Sequence, residues 1–520
     1  MSQQTMQRRA GGRSARHKLR EHGPASTAVT PGVSGGTYRP LSNHDMERVH
    51  QTALDLLSEV GMANPLPLLK EHALAKGCTM DDAGRLHFPQ GLVEDIIAGA
   101  ARNYVMEARD PDKSIDISGA RVHFSCGGEA VSMVDFETGR YRPSTAIDLY
   151  DLARLTDSLE HIHRFSNIIV ATEIADLRKF DLTRTYASAS GTTKGFGMSC
   201  SDASHMDELI AMLDVIAGGE GEFLKRPFCG AGGCAIVSPL TYGDDNSEVV
   251  VAATLRGIPT GIVVASQAGA TAPAALAGAL TLNTAETLAG LLMVNLIRPG
   301  HPMSFGNWPF VSDLRTGSFT GGSGEEAVLS AAASQMAKFY DLPNSVGAGM
   351  SDSKALDAQS GYEKGITVAL AALSGANMIS ESAGMMGSLM GVSFEAMVLD
   401  NDMLGTIARA VRGIEVTDET LSFEVIKEAV EGPGHFLGSA QTLEMMESEY
   451  LYPTLADRLP PAQWEEEGAL DIRERARQKA RELLSSHYPD HIDPATDAKI
   501  RERFPIMLPA EAMGADCGRW

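Results

Sequence analysis

Residues 261–308 read GIVVASQAGATAPAALAGALTLNTAETLAGLLMVNLIRPGHPMSFGNW, and the way this stretch divides decides the fold. Gly261 to Ala265 is a short apolar run of strand type, Pro273 to Ile297 is a long helical segment, and Met303 to Phe305 is a second short run. Strand, helix and strand in that order demand parallel pairing through a right-handed crossover. The pattern repeats on both sides. Upstream lie strand-like runs at Val122 to Ser125, Phe165 to Val170, Gly195 to Ser199 and Phe228 to Ala231, and downstream lie Ser345 to Ala348 and Met378 to Ser380. Helical segments at Ile147 to Leu159, Ala203 to Ala217, Glu325 to Phe339, Asp357 to Leu373 and Phe394 to Val411 fall between or after them. Eight such units spread over roughly 290 residues predict an α/β chain folded as a (β/α)8 barrel over residues 121–412. A doubly wound open sheet is the rival with the same alternation.

Outside the barrel the texture changes. Residues 1–37 combine basic charge with Gly, Ser, Pro and Thr and show no hydrophobic period, so a disordered tail is expected. An N-terminal helical extension over 38–120 begins near Ser42, an N-cap, with Met46, Val49, Ala53, Leu56, Leu57 and Val60 on one face before Gly61. A C-terminal extension over 413–520 holds a helix beginning near Ser422, the turn Gly432-Pro433-Gly434-His435 and a charged helix around Asp471 to Leu484.

With 44 basic and 67 acidic residues the chain carries a formal charge of −23, which argues against nucleic acid as a partner. Six cysteines with no C-x-x-C pair give neither a disulfide framework nor a zinc site, and a reducing cytoplasm fits best. The basic N-terminus lacks the apolar core of a secretory signal. Ala274 to Ile297 is interrupted by Asn283, Thr284, Glu286, Thr287 and Asn295, so no membrane span is expected. Gly230-Ala231-Gly232-Gly233-Cys234-Ala235 spells G-x-G-x-x-A, but Ile236, Val237, Ser238 and Pro239 follow where a dinucleotide site needs a helix. P-loop and H-E-x-x-H motifs are absent.

Barrel chemistry sits at the C-terminal strand ends. Those positions hold Ser125, Cys126 and Glu129; Glu173; Cys200 and Ser201; Cys229; Ser266 and Gln267; Asn307, Trp308 and Phe310; Ser351, Asp352 and Lys354; and Glu381 and Ser382. Each lone carboxylate has a plain alternative as a helix cap or solvated loop residue. Trp308 is either an apolar plug over the barrel end or one wall of an aromatic box for a substituted ammonium. The cysteines read as small buried hydrophobes.

Several longer stretches carry a family resemblance. Gln267-Ala268-Gly269-Ala270-Thr271-Ala272-Pro273 with Leu276 to Leu280 and Asn283 to Glu286, the Phe305 to Arg315 loop, Met350 to Lys354 with Asp357 to Glu363, and Gly432 to Gly438 resemble the trimethylamine methyltransferase family over roughly residues 40 to 510. The resemblance implies a (β/α)8 enzyme that moves a methyl group from a methylated amine to the cobalt of a separate corrinoid protein. Archaeal members carry pyrrolysine, whereas this chain has only the twenty standard residues; the strand-seven end around Met350 to Ala355 is taken as the replaced position. Members without pyrrolysine include glycine betaine methyltransferases, so a quaternary amine is the expected substrate. In that chemistry Trp308 and Phe310 offer π faces, Asp352 or Glu381 a negative field, and Lys354, Arg315, Asn307 and Gln267 donors for a substrate carboxylate. No tightly bound cofactor or metal is expected, because cob(I)alamin belongs to the partner and the chain lacks a D-x-H-x-x-G stretch. The expected partners are a small methylated amine, the corrinoid protein and further copies of the chain, with no nucleic acid or membrane. Three other readings stay open. They are a trimethylamine enzyme proper, a non-catalytic barrel that binds quaternary ammonium, and an aldolase or lyase using Lys194 or Lys354.

Overall fold

The computed structural model describes residues 27–520. Eight strand positions close into a parallel barrel, which removes the open-sheet alternative. Around the ring, Cys229–Gly233 pairs with Phe196–Gly197 and with Thr260–Val264, then come Met303–Asn307, Asn344–Gly347 and Met378–Ser380, and the last pairs with Arg121–Phe124. The second position is held by single parallel bridges, Ser125 to Arg164 and Phe165 to Phe196, rather than by a continuous ladder. All eight predicted positions are in the ring; seven runs have ends shifted by at most two residues, while the run expected over Phe165 to Val170 joins the ring only through Arg164 and Phe165.

The expected helices are present as Ala146–Asp157, Met206–Ala217, Leu276–Ile297, Gly324–Phe339, Ala358–Leu373 and Phe394–Arg412. Two more complete the alternation. In Leu177–Gly191 nearly every residue from Phe180 on is buried, polar ones included, so no amphipathic period marks it. Asp244–Arg256 contains a Val-Val-Val run that reads as a strand until its neighbours are known.

Helix Leu276–Ile297 shows what the polar interruptions are for. Its length and composition would suit a membrane span, but it is packed inside the protein as a core helix. Asn283 accepts from Ser266 N and Oγ and donates to Val264 O and Asn307 Oδ1, while Glu286 accepts from Ser238 Oγ at 2.6 Å and Leu240 N at 2.7 Å. These pins fix the helix against the ends of strands Thr260–Val264 and Met303–Asn307. Burial pushes the Glu286 carboxyl up to about 6.

Residues 27–37, expected to belong to a disordered tail, are tied to the barrel. The first 26 positions of that tail lie outside the described residues, but Val29 and Val33 are buried and Val33–Ser34 pairs antiparallel with Arg121–Val122. Three apolar residues, Ala28, Val29 and Val33, are too few to show a period, yet they find places in the core. Downstream, Ser42 and Asp45 form a reciprocal capping box on helix Asn43–Asp55. Val60 departs from the expected face and is exposed, because the helix widens into a π-turn over Leu56–Val60 that shifts the phase.

The C-terminal extension docks through helix Ile472–Ser486 on helices Ala146–Asp157 and Phe394–Arg412. At its end Asp157 receives His487 Nε2 at 3.1 Å, His491 Nε2 at 3.0 Å and Lys113 Nζ at 3.2 Å. Burial opposes ionisation of Asp157, but His487, His491, Thr192 and Lys113 together hold its carboxyl far below the usual carboxylate range. The Lys113 ammonium already supplies the positive charge that a metal ion would bring to this group. Lys194 is equally occupied: its ammonium donates to the carbonyls of Thr156, Leu159 and Ile162. It therefore stands outside the barrel interior.

Candidate active site

A barrel is normally filled by layers of bulky side chains. Here many of the inward positions of consecutive strands are small: Gly230 and Gly232, Gly261 and Ala265, Ser304, Ser345 and Ser380 face a shared hollow, with Met198, Val263 and Met378 as larger members of its wall. The result is a cavity of about 670 Å³. Its lining reaches from Tyr104, Pro227 and Thr260, near the N-terminal strand ends, to Glu129, Trp308, Phe310 and Glu381 beyond the C-terminal ends. That volume is of the order a small organic ligand occupies.

Two aromatic rings form a corner at the upper end. Trp308 and Phe310 stand with centroids 6.2 Å apart and planes inclined at 59°, and Phe310 is braced edge-on by Phe319 at 5.0 Å. The Trp308 indole N–H donates to Ser345 Oγ at 3.1 Å, which fixes the ring while leaving its faces free of protein hydrogen bonds. Among the described residues, no Lys or Arg lies over either ring. Gly347 makes the corner possible, since a Cβ there would lie 2.9 Å from atoms of both rings. Gly347→Ala is expected to cost about 1–2 kcal/mol of stability by overpacking and to displace Trp308, seen as a lower Tm and an altered tryptophan emission. Unchanged emission would show the ring to be mobile instead.

Two carboxylates mark the rim, and both stand on left-handed backbone: Glu129 at φ 47° and Glu381 at φ 63°. Non-glycine residues held there are strained, and such strain collects at functional sites. Glu129 pairs with Arg184 Nη2 at 2.8 Å. Glu381 has no such partner: it is 4% exposed, and its Oε2 has no hydrogen-bond partner among the described residues. Burial pushes its carboxyl up to about 8. A buried carboxyl of that kind is neutral until a cation arrives.

Of the eight residues expected to act, the cavity lining takes in Trp308, Phe310 and Glu381. The other five lie elsewhere, each for a stated reason. Asp352 spends its carboxylate on Thr320 Oγ1, Gly321 N and Ser388 Oγ, clasping three loops together. Lys354 is exposed, and its ammonium donates to the Asp352 carbonyl. Strand Gln267–Ala268 lies beside Phe310–Ser312, which pairs back on Phe319–Thr320, so that Gln267 accepts from Ser312 Oγ on a small sheet. Arg315 sits at the tip of that hairpin, 88% exposed and paired with Asp313. Asn307 is locked between Asn283 and Thr284 behind the strand.

Strand-end reasoning missed several lining residues. Arg164, Tyr104 and Thr260 lie toward the N-terminal strand ends, where catalytic groups are not sought. Cys234 also lines the cavity, at the end of the apparent dinucleotide motif; strand Ile236–Val237 follows it, not a helix. Unlike the buried hydrophobe expected of a cysteine here, it is exposed to the hollow, and desolvation by the surrounding protein, with Glu381 and Glu129, pushes its thiol up to about 11.

Comparison with known proteins adds the following. A sequence model described as trimethylamine methyltransferase matches residues 9–504. The chain is 28% identical over 89% of its length to glycine betaine methyltransferase from Desulfitobacterium hafniense (strain Y51), covering 96% of that protein. It is 30% identical, with the same coverage of both chains, to trimethylamine methyltransferase MttB from Methanosarcina thermophila. Among solved structures, the Methanosarcina barkeri monomethylamine methyltransferase covers 91% of this chain and 92% of its own at 13% identity, with a TM-score of 0.48.

Proposed function

The chain belongs to the trimethylamine methyltransferase family, and from that premise we propose that it takes a methyl group from a small quaternary amine, glycine betaine first, and passes it to the cobalt of a separate corrinoid protein. The observation that carries the substrate half is one cavity lined by the aromatic corner of Trp308 and Phe310 and by the unpaired carboxyl of Glu381. Ring quadrupoles and a buried carboxylate suit a cation that offers no hydrogen bond.

Cob(I)alamin supplies the nucleophile, as a co-substrate and not as a resident cofactor. A hollow of about 670 Å³ fits an amine and not a corrin macrocycle, so the acceptor would meet the methyl group at the rim. The chain's own residues then have a limited task. They orient one N–methyl bond toward the rim and hold the ammonium against two rings and one carboxylate. The methyl carbon leaves without the bonding pair, which stays on nitrogen; a quaternary ammonium thus departs as a neutral tertiary amine and needs no general acid. Glu381 acts by charge, not by proton donation. Self-association belongs to the same reading, supported by Ile414, Phe423, Val430 and Leu437, which are 72–88% exposed in the segment after the barrel.

The test follows the loss of cob(I)alamin absorbance on a carrier protein with glycine betaine, proline betaine, carnitine, choline and trimethylamine. Demethylation of at least one quaternary amine is expected. Turnover of trimethylamine alone would replace the substrate assignment, and tight binding of quaternary amines without any transfer would leave a non-catalytic binding barrel.

A further inference from the structure

The cavity has a second pole that the ammonium chemistry does not use. Arg164 opens the second strand position and turns its guanidinium into the barrel, among the lining residues. Its Nη1 donates to Ser166 Oγ at 2.8 Å and its Nη2 to the Phe196 carbonyl at 2.9 Å, and both acceptors are neutral. The titratable groups facing it, Tyr104, Cys229 and Cys126, are neutral at physiological pH, and burial makes its charge costly. The other arginines at the cavity or its edge are matched: Arg184 with Glu129, and Arg226 with Glu107. Arg164 is thus the lining cation with no counter-ion among the described residues.

Its surroundings leave room for one. Gly230 lies next to it, and a Cβ there would come within 4.0 Å of Nη2 and 3.0 Å of the Pro259 carbonyl. Thr260 Oγ1 and Ser304 Oγ are buried without partners at the starts of the two following strands that line the cavity. Two neutral bonds leave most of the five guanidinium donors of Arg164 unused, in the planar fork that matches a carboxylate.

We propose that the inner part of the cavity is an anion subsite built on Arg164, so that the ligand is a zwitterion that enters carboxylate first and keeps its ammonium at the rim. Glu381 favours this direction, because it can ionise against a cation and gains nothing from an anion. The pose also leaves the N-methyl groups facing the mouth, the end at which an external acceptor would reach them. The ammonium half of the pose rests on the function proposed above; the anion subsite rests on Arg164 alone.

Calorimetric titration of the full chain separates the two halves, because it needs neither carrier protein nor turnover. The probes are tetramethylammonium, butyrate, glycine betaine and γ-trimethylammoniobutyrate. In the native protein at least one zwitterion is expected to bind tenfold or more tighter than tetramethylammonium. Arg164→Met is expected to erase that advantage while changing tetramethylammonium affinity less than twofold. Arg164→Lys keeps the charge without the fork, and should lose a few-fold on the zwitterions only; it carries the test if Arg164→Met does not fold. Zwitterions with no advantage in the native protein, or an equal loss on tetramethylammonium in the variants, would overturn the subsite. Butyrate binding that depends on Arg164, with no binding of tetramethylammonium, would keep the subsite and remove the quaternary-amine reading.

Discussion

Glu381→Gln is expected to flatten a pH profile that is steep in the native protein. Burial holds this carboxyl near 8, and a quaternary ammonium, whose own charge does not titrate, binds its ionised form. Affinity should therefore rise about tenfold per pH unit below that value and level off above it, so that pH 6 is roughly a hundredfold weaker than the plateau. In the glutamine variant the slope disappears, and the affinity stays roughly 30–100-fold below the native plateau, the scale of a close buried charge pair. Native and variant curves should converge toward pH 6, where the native carboxyl is also neutral. The ligand-free protein gives a second readout with a defined sign. A raised carboxyl pKa means that the folded state holds its proton longer, so the contribution to stability is complete below the unfolded value of 4.5 and is lost as pH rises toward 8. Glu381→Gln should remove that decline. A native profile flat from pH 6 to 9, measured by titration with tetramethylammonium, would remove Glu381 from the ammonium site.

Trp308→Ala should show two separable losses. A desolvated cation over an indole face is worth on the order of 2 kcal/mol, which is roughly thirtyfold in affinity for tetramethylammonium. Removing a buried ring that also donates to Ser345 should cost a further 3–5 kcal/mol of stability, about what is usual for large-to-small core changes. Trp308→Leu separates the two effects, because it refills much of the space without a π face. If the ring holds the ammonium, the leucine variant recovers much of the melting temperature and none of the affinity. Recovery of both in step would make Trp308 a plug over the barrel end.

The barrel was readable because its signal is repeated. Eight short apolar runs separated by helical segments leave parallel pairing as the solution, and an error of one or two residues at any strand end does not alter the count. Helix Leu177–Gly191 carries no such signal: a helix buried on every side, with Asp181, Thr183 and Arg184 inside, has no polar face to give it a period.

The family stretches and the position of Trp308 at a strand end were therefore matters of sequence, and so was the ring of positions from which site residues could come. Which of those positions face inward was decided by the tertiary structure. A strand end specifies a height on the barrel, but the chain after it can fold back, and here the segments at Gln267 and Phe310–Ser312 pair into a separate sheet that carries Gln267 and Arg315 away from the hollow. Asp352 likewise became a clasp because Thr320, Gly321 and Ser388, 31 to 36 residues away in the chain, arrive around it. The cavity itself lies beyond sequence reasoning for a related reason. It exists because Gly230, Gly261, Ser304 and Ser345 face one another, and an empty space belongs to no residue until its neighbours have been placed. Arg164 could not be told from a solvated arginine before the hollow enclosed it with only neutral hydrogen-bond partners, since burial and pairing are properties of the assembled barrel and not of the chain.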